Sequence, residues 1–176
     1  MVRAILEGRK TQTRRIVKFP VIDRDGFGCE IAGNELNSCL RQGLNICRVG
    51  QVGDRLWVKE TFTEDFTGPR NKIVYRADDP EANCKWKSKL FMSRKQSRIT
   101  LEIVSVRAEK LNDISEKDAK AEGVSPIKLG FLDARDAGRN VSHSYLEGYG
   151  ELWESINGQG SWNKNPRVWA IEFKKL

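Results

Sequence analysis

Residues 97–107 (SRITLEIVSVR) carry the clearest secondary-structure signal in the chain. Apolar side chains fall at every second position, which is the period of a half-buried β-strand. A second alternating run lies in residues 167–174 (RVWAIEFK), where Trp169 and Ile171 share one face. We expect these two runs to form the main strands of an antiparallel sheet.

Shorter patterned segments surround these strands. Residues 1–7 and 145–156 have the apolar spacing of helices, and residues 115–118 (SEKD) resemble a helix-capping box. Further predicted strands are 11–17, 55–62 and 73–76, whereas 20–52 is rich in Gly and Asn and predicts a long irregular insertion. This mixture favours a single α+β domain over residues 1–176, with a small, mostly antiparallel barrel flanked by short helices.

The charge balance favours a polyanionic partner. The chain of 176 residues has a net charge of +7 and a pI of about 9.3. Six cations against the lone acid Glu7 fall within residues 1–20, which suits phosphate contacts. No apolar run approaches membrane-spanning length and the first residues lack a signal peptide, so we expect a cytoplasmic protein without a membrane partner.

The residues that usually bind metals or cofactors are sparse. The four cysteines have no CxxC spacing, which argues against zinc ribbons and redox motifs. The lone histidine, His143, excludes mechanisms that need two imidazoles. We therefore expect neither a metal nor a cofactor.

Four segments in the same order together resemble the ASCH family of the PUA-like superfamily. They are residues 5–15 (ILEGRKTQTRR), 53–60 (GDRLWVKE), 114–123 (ISEKDAKAEG) and 168–173 (VWAIEF). Residues 152–157 (LWESIN) and 160–162 (GSW) are similar to its bacterial and phage-encoded branch. Relatives usually carry a β-strand before the helix with which this chain opens. The resemblance implies a PUA-like β-barrel that binds RNA or modified bases in a cleft.

The same resemblance implies a sharper function. Small bacterial members hydrolyse N4-acetylcytidine with a Lys, a Thr and a Glu, and these roles fall on Lys10, Thr13 and Glu122. Arg9 and Arg15 then become candidate substrate-binding residues.

This assignment is chemically reasonable, because amide hydrolysis needs a nucleophile, a proton shuttle and oxyanion stabilisation. Neighbouring cations and burial would lower the pKa of Lys10 and make it a better base. Thr13 could attack directly or orient water, and Glu122 could protonate the leaving amine. Arg15 could hold the substrate or anchor Glu122. The alternative is a basic strand face that binds phosphates, with Glu122 a solvated helical acid.

Aromatic residues provide further candidates for base stacking. Among the five tryptophans, Trp162 lies between small polar residues and is the best candidate for a ring that lines a cleft. Basic residues from Lys85 to Arg98 interleave with aromatic and apolar ones, as in a nucleic-acid contact or a solvated loop. Besides the hydrolase, three functions stay open: a non-catalytic RNA or modified-base binder, a metal-independent ribonuclease, and a protein-interaction module that uses the insertion. The sequence does not distinguish RNA from DNA as the nucleic acid.

Overall fold

The chain combines short helices with an antiparallel sheet, in agreement with the predicted α+β class. The computed structural model describes residues 1–18, 35–44, 46–65, 72–128 and 143–176. The helices are α1 (Val2–Leu6), α2 (Leu36–Arg41), α3 (Glu116–Ala121) and α4 (Tyr145–Asn157). The strands are β1 (Gln12–Ile16), β2 (Arg55–Trp57), β3 (Phe62–Asp65), β4 (Lys72–Tyr75), β5 (Thr100–Lys110), β6 (Ile127–Lys128), β7 (His143–Ser144) and β8 (Arg167–Lys175).

The main sheet has the strand order β1-β8-β5-β2, and every neighbouring pair is antiparallel. The two alternating runs of the sequence, β5 and β8, lie at its centre. The register between them shifts between Ile103 and Ser105, and such a bulge bends the strand that carries it. The described strands curl into a half-barrel. This agrees with the predicted antiparallel sheet, but it does not show the small closed barrel that the sequence predicts.

Each face of this sheet has its own apolar core. One core packs α2 and the segment around Ile46 against the face of β8 that carries Trp169 and Ile171. The other packs α3 and α4 against the opposite face, where Tyr149 and Trp153 meet Val168. A third cluster of Ile5, Ile99, Leu101 and Phe173 joins α1 to the sheet. Successive side chains of β8 point alternately into these two cores, as the alternating pattern of its sequence predicts.

Two predicted elements differ from the structure. The strand expected over 55–62 is split into β2 and β3, because β2 pairs with β5 whereas β3 pairs with β4 in a separate two-stranded sheet. Between them, Glu60 is buried and accepts hydrogen bonds from Arg98 at 2.9 and 3.0 Å. The irregular excursion expected over 20–52 contains α2; residues 19–34 and 45 lie outside the described residues.

Helix α2 is stabilised by tertiary contacts. Leu36 is fully buried against the sheet. The side chain of Asn37 donates to the carbonyl of Ala108 and accepts from its N–H, both at 2.7 Å. A six-residue helix is marginal on its own in water, so α2 depends on these contacts for its stability. Because the contacts come from distant parts of the chain, a local sequence pattern could not predict the helix.

The helices on the other face begin at capping residues that the sequence offers. Ser115 accepts a hydrogen bond from the N–H of Asp118 at the start of α3, and Ser144 accepts one from Glu147 at the start of α4. Glu116 ties the two helices together by accepting from Ser144 and from the N–H of Tyr145. Within the described ranges, no helix has both the length and the apolar character needed to cross a membrane.

Candidate functional site

The candidate site forms where the residue before β1 meets the C-terminal end of α3. Lys10 and Glu122 pair through an isolated antiparallel bridge, and the N–H of Thr11 donates to the carbonyl of Ala121 at 2.9 Å. Gly123 ends α3 with φ +77°, and a Cβ at this position would lie only 2.7 Å from the Cβ of Lys10. A glycine is therefore needed both for the left-handed turn and for the close approach.

Lys10 and Glu122 form a buried ion pair. The Nζ of Lys10 donates to Oε2 of Glu122 at 2.6 Å and to its backbone carbonyl at 2.9 Å. Their side chains are only 7 % and 2 % exposed. Burial lowers the pKa of Lys10; Glu122 opposes this shift, whereas the Arg15 and Arg14 cations add to it. The lysine is therefore a more available base than an exposed lysine.

Arg14 connects this pair to a larger charged layer on the same face of the sheet. Its Nη1 donates to Oε1 of Glu122 at 3.2 Å and to Gln12 at 2.5 Å. Its Nε and Nη2 both donate to Oε1 of Glu109, at 2.9 and 2.6 Å. Both Glu122 oxygens thus accept a charge-assisted hydrogen bond, a geometry that stabilises the carboxylate.

Arg107 completes the layer on the central strand β5. It donates to Glu109, Glu172 and Asp118. Burial raises the pKa of Asp118, but the Arg107 and Arg14 cations and hydrogen bonds from Gln12 and Ser115 outweigh it, and the net shift is downward.

An aromatic pair extends this layer towards α4. The guanidinium of Arg14 lies 5.9 Å from the ring centroid of Tyr149, and burial, together with the Glu122 charge, raises the pKa of the tyrosine hydroxyl. The Trp162 ring meets Tyr149 edge-to-face at 6.0 Å. Trp162 also lines a cavity of about 620 Å³, which further includes Asn112, Leu146, Glu147, Gly150, Glu151 and Glu154.

The structure brings some of the predicted site residues together and separates others. Lys10 and Glu122 are in direct contact, and Arg9 lies beside them, half-exposed, with Nη1 donating to the carbonyl of Gly123 at 3.5 Å. Thr13 and Arg15 pair in register with Ile171 and Trp169 of β8. Strand alternation therefore places both on the face opposite to Gln12 and Arg14.

A second feature, which we call the basic cleft, lies on that opposite face. It is a cavity of about 380 Å³ lined by three exposed cations, Arg15, Lys18 and Arg48, and by Trp169. Ile16, Ile46, Val49 and Asn157 complete its lining. The three cations make no ion pair or side-chain hydrogen bond to another described residue, so their charges are available to a ligand.

Sequence reasoning missed Arg14, Arg107 and Tyr149 as parts of the site. The side chain of Arg14 is fully buried, although the cations in this part of the sequence predict a basic surface. The signal was its spacing from Lys10, because positions 10, 12 and 14 share one face of an extended chain. Tyr149 lies in the segment 145–156, whose apolar helical spacing indicates packing and carries no sign of the contact with Arg14.

Among the described side chains, no group of three or more His, Cys, Asp or Glu residues is arranged to hold a metal ion. Cys39 and Cys84 are free thiols, Cys47 is buried, and Cys29 and the His143 side chain lie outside the described residues. Comparison with protein-family models, with curated proteins and with solved structures gave no match to this chain.

Proposed function

We propose that this protein is an ASCH-type, PUA-like domain that binds a modified nucleoside or nucleic acid and removes the acyl group from substrates such as N4-acetylcytidine. The observation that carries the proposal is the 2.6 Å hydrogen bond between the Nζ of Lys10 and Glu122 in a buried setting. Two residues that the sequence motifs single out, 112 positions apart, are in contact.

The pair has the proton-transfer chemistry that amide hydrolysis requires. Transfer of the proton from Lys10 to Glu122 within their hydrogen bond leaves a neutral amine and a carboxylic acid. The amine then takes a proton from a water molecule that attacks the acyl carbon. The acid donates its proton to the exocyclic nitrogen as the carbon–nitrogen bond breaks, which releases acetate and cytidine. Burial lowers the pKa of Lys10, which makes its amine more available as the base of this step.

Water is the attacking group in this proposal because Thr13 lies on the opposite face of β1. Thr13 pairs with Ile171, whereas the Lys10–Glu122 pair contacts Arg14. Replacement of Thr13 by valine is therefore expected to retain acetate release. Loss of turnover in a folded Thr13→Val variant would show that the hydroxyl takes part.

The experiment measures acetate and free cytidine after incubation with a panel of acylated nucleosides. We expect turnover of N4-acetylcytidine by the wild type and its loss in Lys10→Met. Lys117→Met is the matched control, because it makes the same substitution at an exposed lysine of α3 outside the ion pair. Circular dichroism and thermal unfolding identify variants that retain the fold. Absence of turnover by the wild type with every acylated nucleoside would reject the hydrolase.

The basic cleft favours a second candidate, a non-catalytic binder of RNA or of a phosphorylated nucleoside. Arg15, Lys18 and Arg48 provide three cations that have no ion-pair partner among the described residues, and they lie beside an aromatic residue, Trp169. This function predicts binding that weakens steeply with salt, because phosphate contacts release counterions. Titration of a labelled oligonucleotide at several salt concentrations tests it, and binding that does not depend on salt would argue against it.

A further inference from the structure

Besides the basic cleft, the chain has a second group of cations, which lies around two exposed apolar side chains. This segment is separate in the sequence from Lys10 and Glu122. We call residues 88–96 the tip loop. Leu90 and Phe91 in this loop are 73 % and 78 % exposed. Two adjacent large apolar side chains at such exposure carry an unfavourable hydration free energy unless they contact a partner.

Hydrogen bonds anchor the tip loop at both ends, so the exposure of these two side chains is part of the fold. On one side, Lys87 exchanges backbone hydrogen bonds with Phe62 at 2.7 and 3.3 Å. On the other, the Tyr75 hydroxyl donates to the carbonyl of Gln96 at 2.7 Å. Met92, directly after Phe91, is buried.

Local capping fixes the two short turns inside the loop. The first 3₁₀ turn, Lys89–Phe91, begins at Ser88, whose side chain accepts from the N–H of Leu90. The second, Arg94–Gln96, has a reciprocal cap between Ser93 and Gln96. Gln96 also donates to Glu64 at 2.6 Å. Phe91 is therefore presented on an ordered loop, and binding through it needs little further ordering.

The charge around the tip loop selects the partner. Residues 85–98 contain six cations and no acid. Lys87 pairs with Glu64, and Arg98 pairs with Glu60 and Asp78. The other four make no ion pair to a described residue; they are Lys85, Lys89, Arg94 and Lys95. These four cations and the exposed ring of Phe91 together suit a partner that has both negative charges and flat apolar faces, as a nucleic acid has in its phosphates and bases.

We infer that the tip loop is a contact surface for unpaired nucleic-acid bases, with Phe91 stacked on a base and Lys89, Arg94 and Lys95 on the flanking phosphates. This inference rests on the nucleic-acid part of the proposed function and adds a site outside the Lys10–Glu122 pair. A single-stranded ligand fits because one exposed ring is sufficient to stack on one base. Anionic membrane is the weaker match, since interfacial binding uses the apolar face of an amphipathic helix and each turn here has three residues.

The test measures fluorescence anisotropy of a labelled twelve-nucleotide single-stranded RNA and of the matching duplex. Phe91→Ala is expected to weaken single-strand binding by about five-fold to a hundred-fold. Phe91→Trp is expected to keep or improve binding, because it retains an aromatic face. The matched control is Ile156→Ala, which removes another exposed apolar side chain from α4, 63 % exposed, and should have no effect.

Charge variants and a second ligand separate the remaining outcomes. Lys89→Gln with Lys95→Gln should weaken binding more than Lys117→Gln with Lys164→Gln, a control with two exposed lysines elsewhere. Equal binding by Phe91→Ala and Ile156→Ala would overturn the inference. The inference would also be overturned if Phe91→Ala lost binding to phosphatidylcholine–phosphatidylserine vesicles while its RNA binding stayed unchanged. That result would assign the loop to membranes.

The outcome is also separable from the hydrolase. Phe91→Ala should hydrolyse free N4-acetylcytidine at the wild-type rate, because Phe91 lies outside the Lys10–Glu122 pair. A wild type without nucleoside turnover but with Phe91-dependent RNA binding would reject the hydrolase and retain the tip-loop site. Absence of RNA binding by the wild type would reject the tip-loop site whatever the turnover.

Discussion

Glu122 accepts two hydrogen bonds from the Nζ of Lys10, one at its carboxylate and one at its backbone carbonyl, although 112 positions separate the residues in the chain. The contact joins the end of α3 to the beginning of β1. It places a lysine with a lowered pKa against a carboxylate in a buried setting. The same geometry supports an acid–base pair and fixes the position of α3, so stability and turnover must be measured together.

Removal of the Glu122 carboxylate should destabilise the fold. Glu122→Ala leaves the buried Lys10 without its anionic partner and deprives Arg14 of one acceptor. We expect a loss of about 3–5 kcal/mol in the free energy of unfolding, since an unpaired buried charge is costly. Urea denaturation measures it.

The matched control for Glu122→Ala is Glu151→Ala, which removes an exposed carboxylate from α4. It should change the free energy of unfolding by less than about 0.5 kcal/mol. The double variant Lys10→Met/Glu122→Leu should recover much of the loss, because it leaves no buried charge unpaired. If Glu122→Ala were as stable as Glu151→Ala, the ion pair would not hold α3 in place.

Gly123→Ala should separate α3 from Lys10. Gly123 and Gly8 have almost the same backbone conformation, with φ of +77° and +73°. An added Cβ at Gly123 would lie 2.7 Å from the Cβ of Lys10 and 3.0 Å from that of Ala4, whereas one at Gly8 meets nothing within 4 Å. Both alanines carry the left-handed strain of about 1–2 kcal/mol.

The difference between these two variants isolates the close approach. The free energy of unfolding of Gly123→Ala should be lower than that of Gly8→Ala by about 1–3 kcal/mol, as at other overpacked sites. Thermal and urea unfolding of both variants provide the comparison. Turnover of N4-acetylcytidine should fall in Gly123→Ala alone, because the same contact sets the Lys10–Glu122 distance. Equal stabilities would indicate that the backbone yields without cost.

The sheet could be predicted from sequence because its long strands alternate. The run 97–107 overlaps β5 from Thr100 onward, the run 167–174 lies in β8, and Trp169 and Ile171 share one buried face as predicted. The split between β2 and β3 could not be predicted, since it depends on Glu60 being buried beside Arg98. Helix α2 was missed for a similar reason, because its stability comes from Leu36 and Asn37 contacts with distant strands.

The candidate site was predicted only in part. Motifs selected Lys10 and Glu122, and these are in contact. The buried position of Arg14 could not be predicted, because arginine is rarely fully buried unless it is paired. Its partners Glu109 and Glu122 come from β5 and the end of α3. No local pattern shows that these segments meet on one face of the sheet.

The free energy of unfolding of the protein should increase with pH in the alkaline range because of Lys10. Burial lowers the pKa of Lys10 in the folded protein below its ordinary value of 10.5, to which the unfolded chain returns. Between these two pKa values, the unfolded chain binds the additional proton, so the free energy of unfolding rises with pH. The contribution levels off above 10.5.

Subtraction isolates this contribution from other groups. The reference is Lys10→Met/Glu122→Leu, which retains every other titrating residue. The free energy of unfolding of the wild type minus that of the reference should rise through the alkaline range. Urea denaturation at closely spaced pH values provides both curves. A difference that is flat or that falls with pH would mean that the pKa of Lys10 is not lowered in the folded state.

Neutralising the basic cleft should reduce the salt dependence of nucleic-acid binding. Arg48→Gln removes one of three cations that face the cavity beside Trp169, and none of the three has an ion-pair partner among the described residues. Each lost phosphate contact should reduce the slope of log K against log salt by about 0.7 for a single strand. Lys164→Gln, an exposed lysine outside the cleft, should leave the slope unchanged. Binding titrations over a range of salt concentrations give both slopes. Equal slopes would show that the cleft does not contact phosphate, and the tip loop would then be the surface that accounts for any salt dependence.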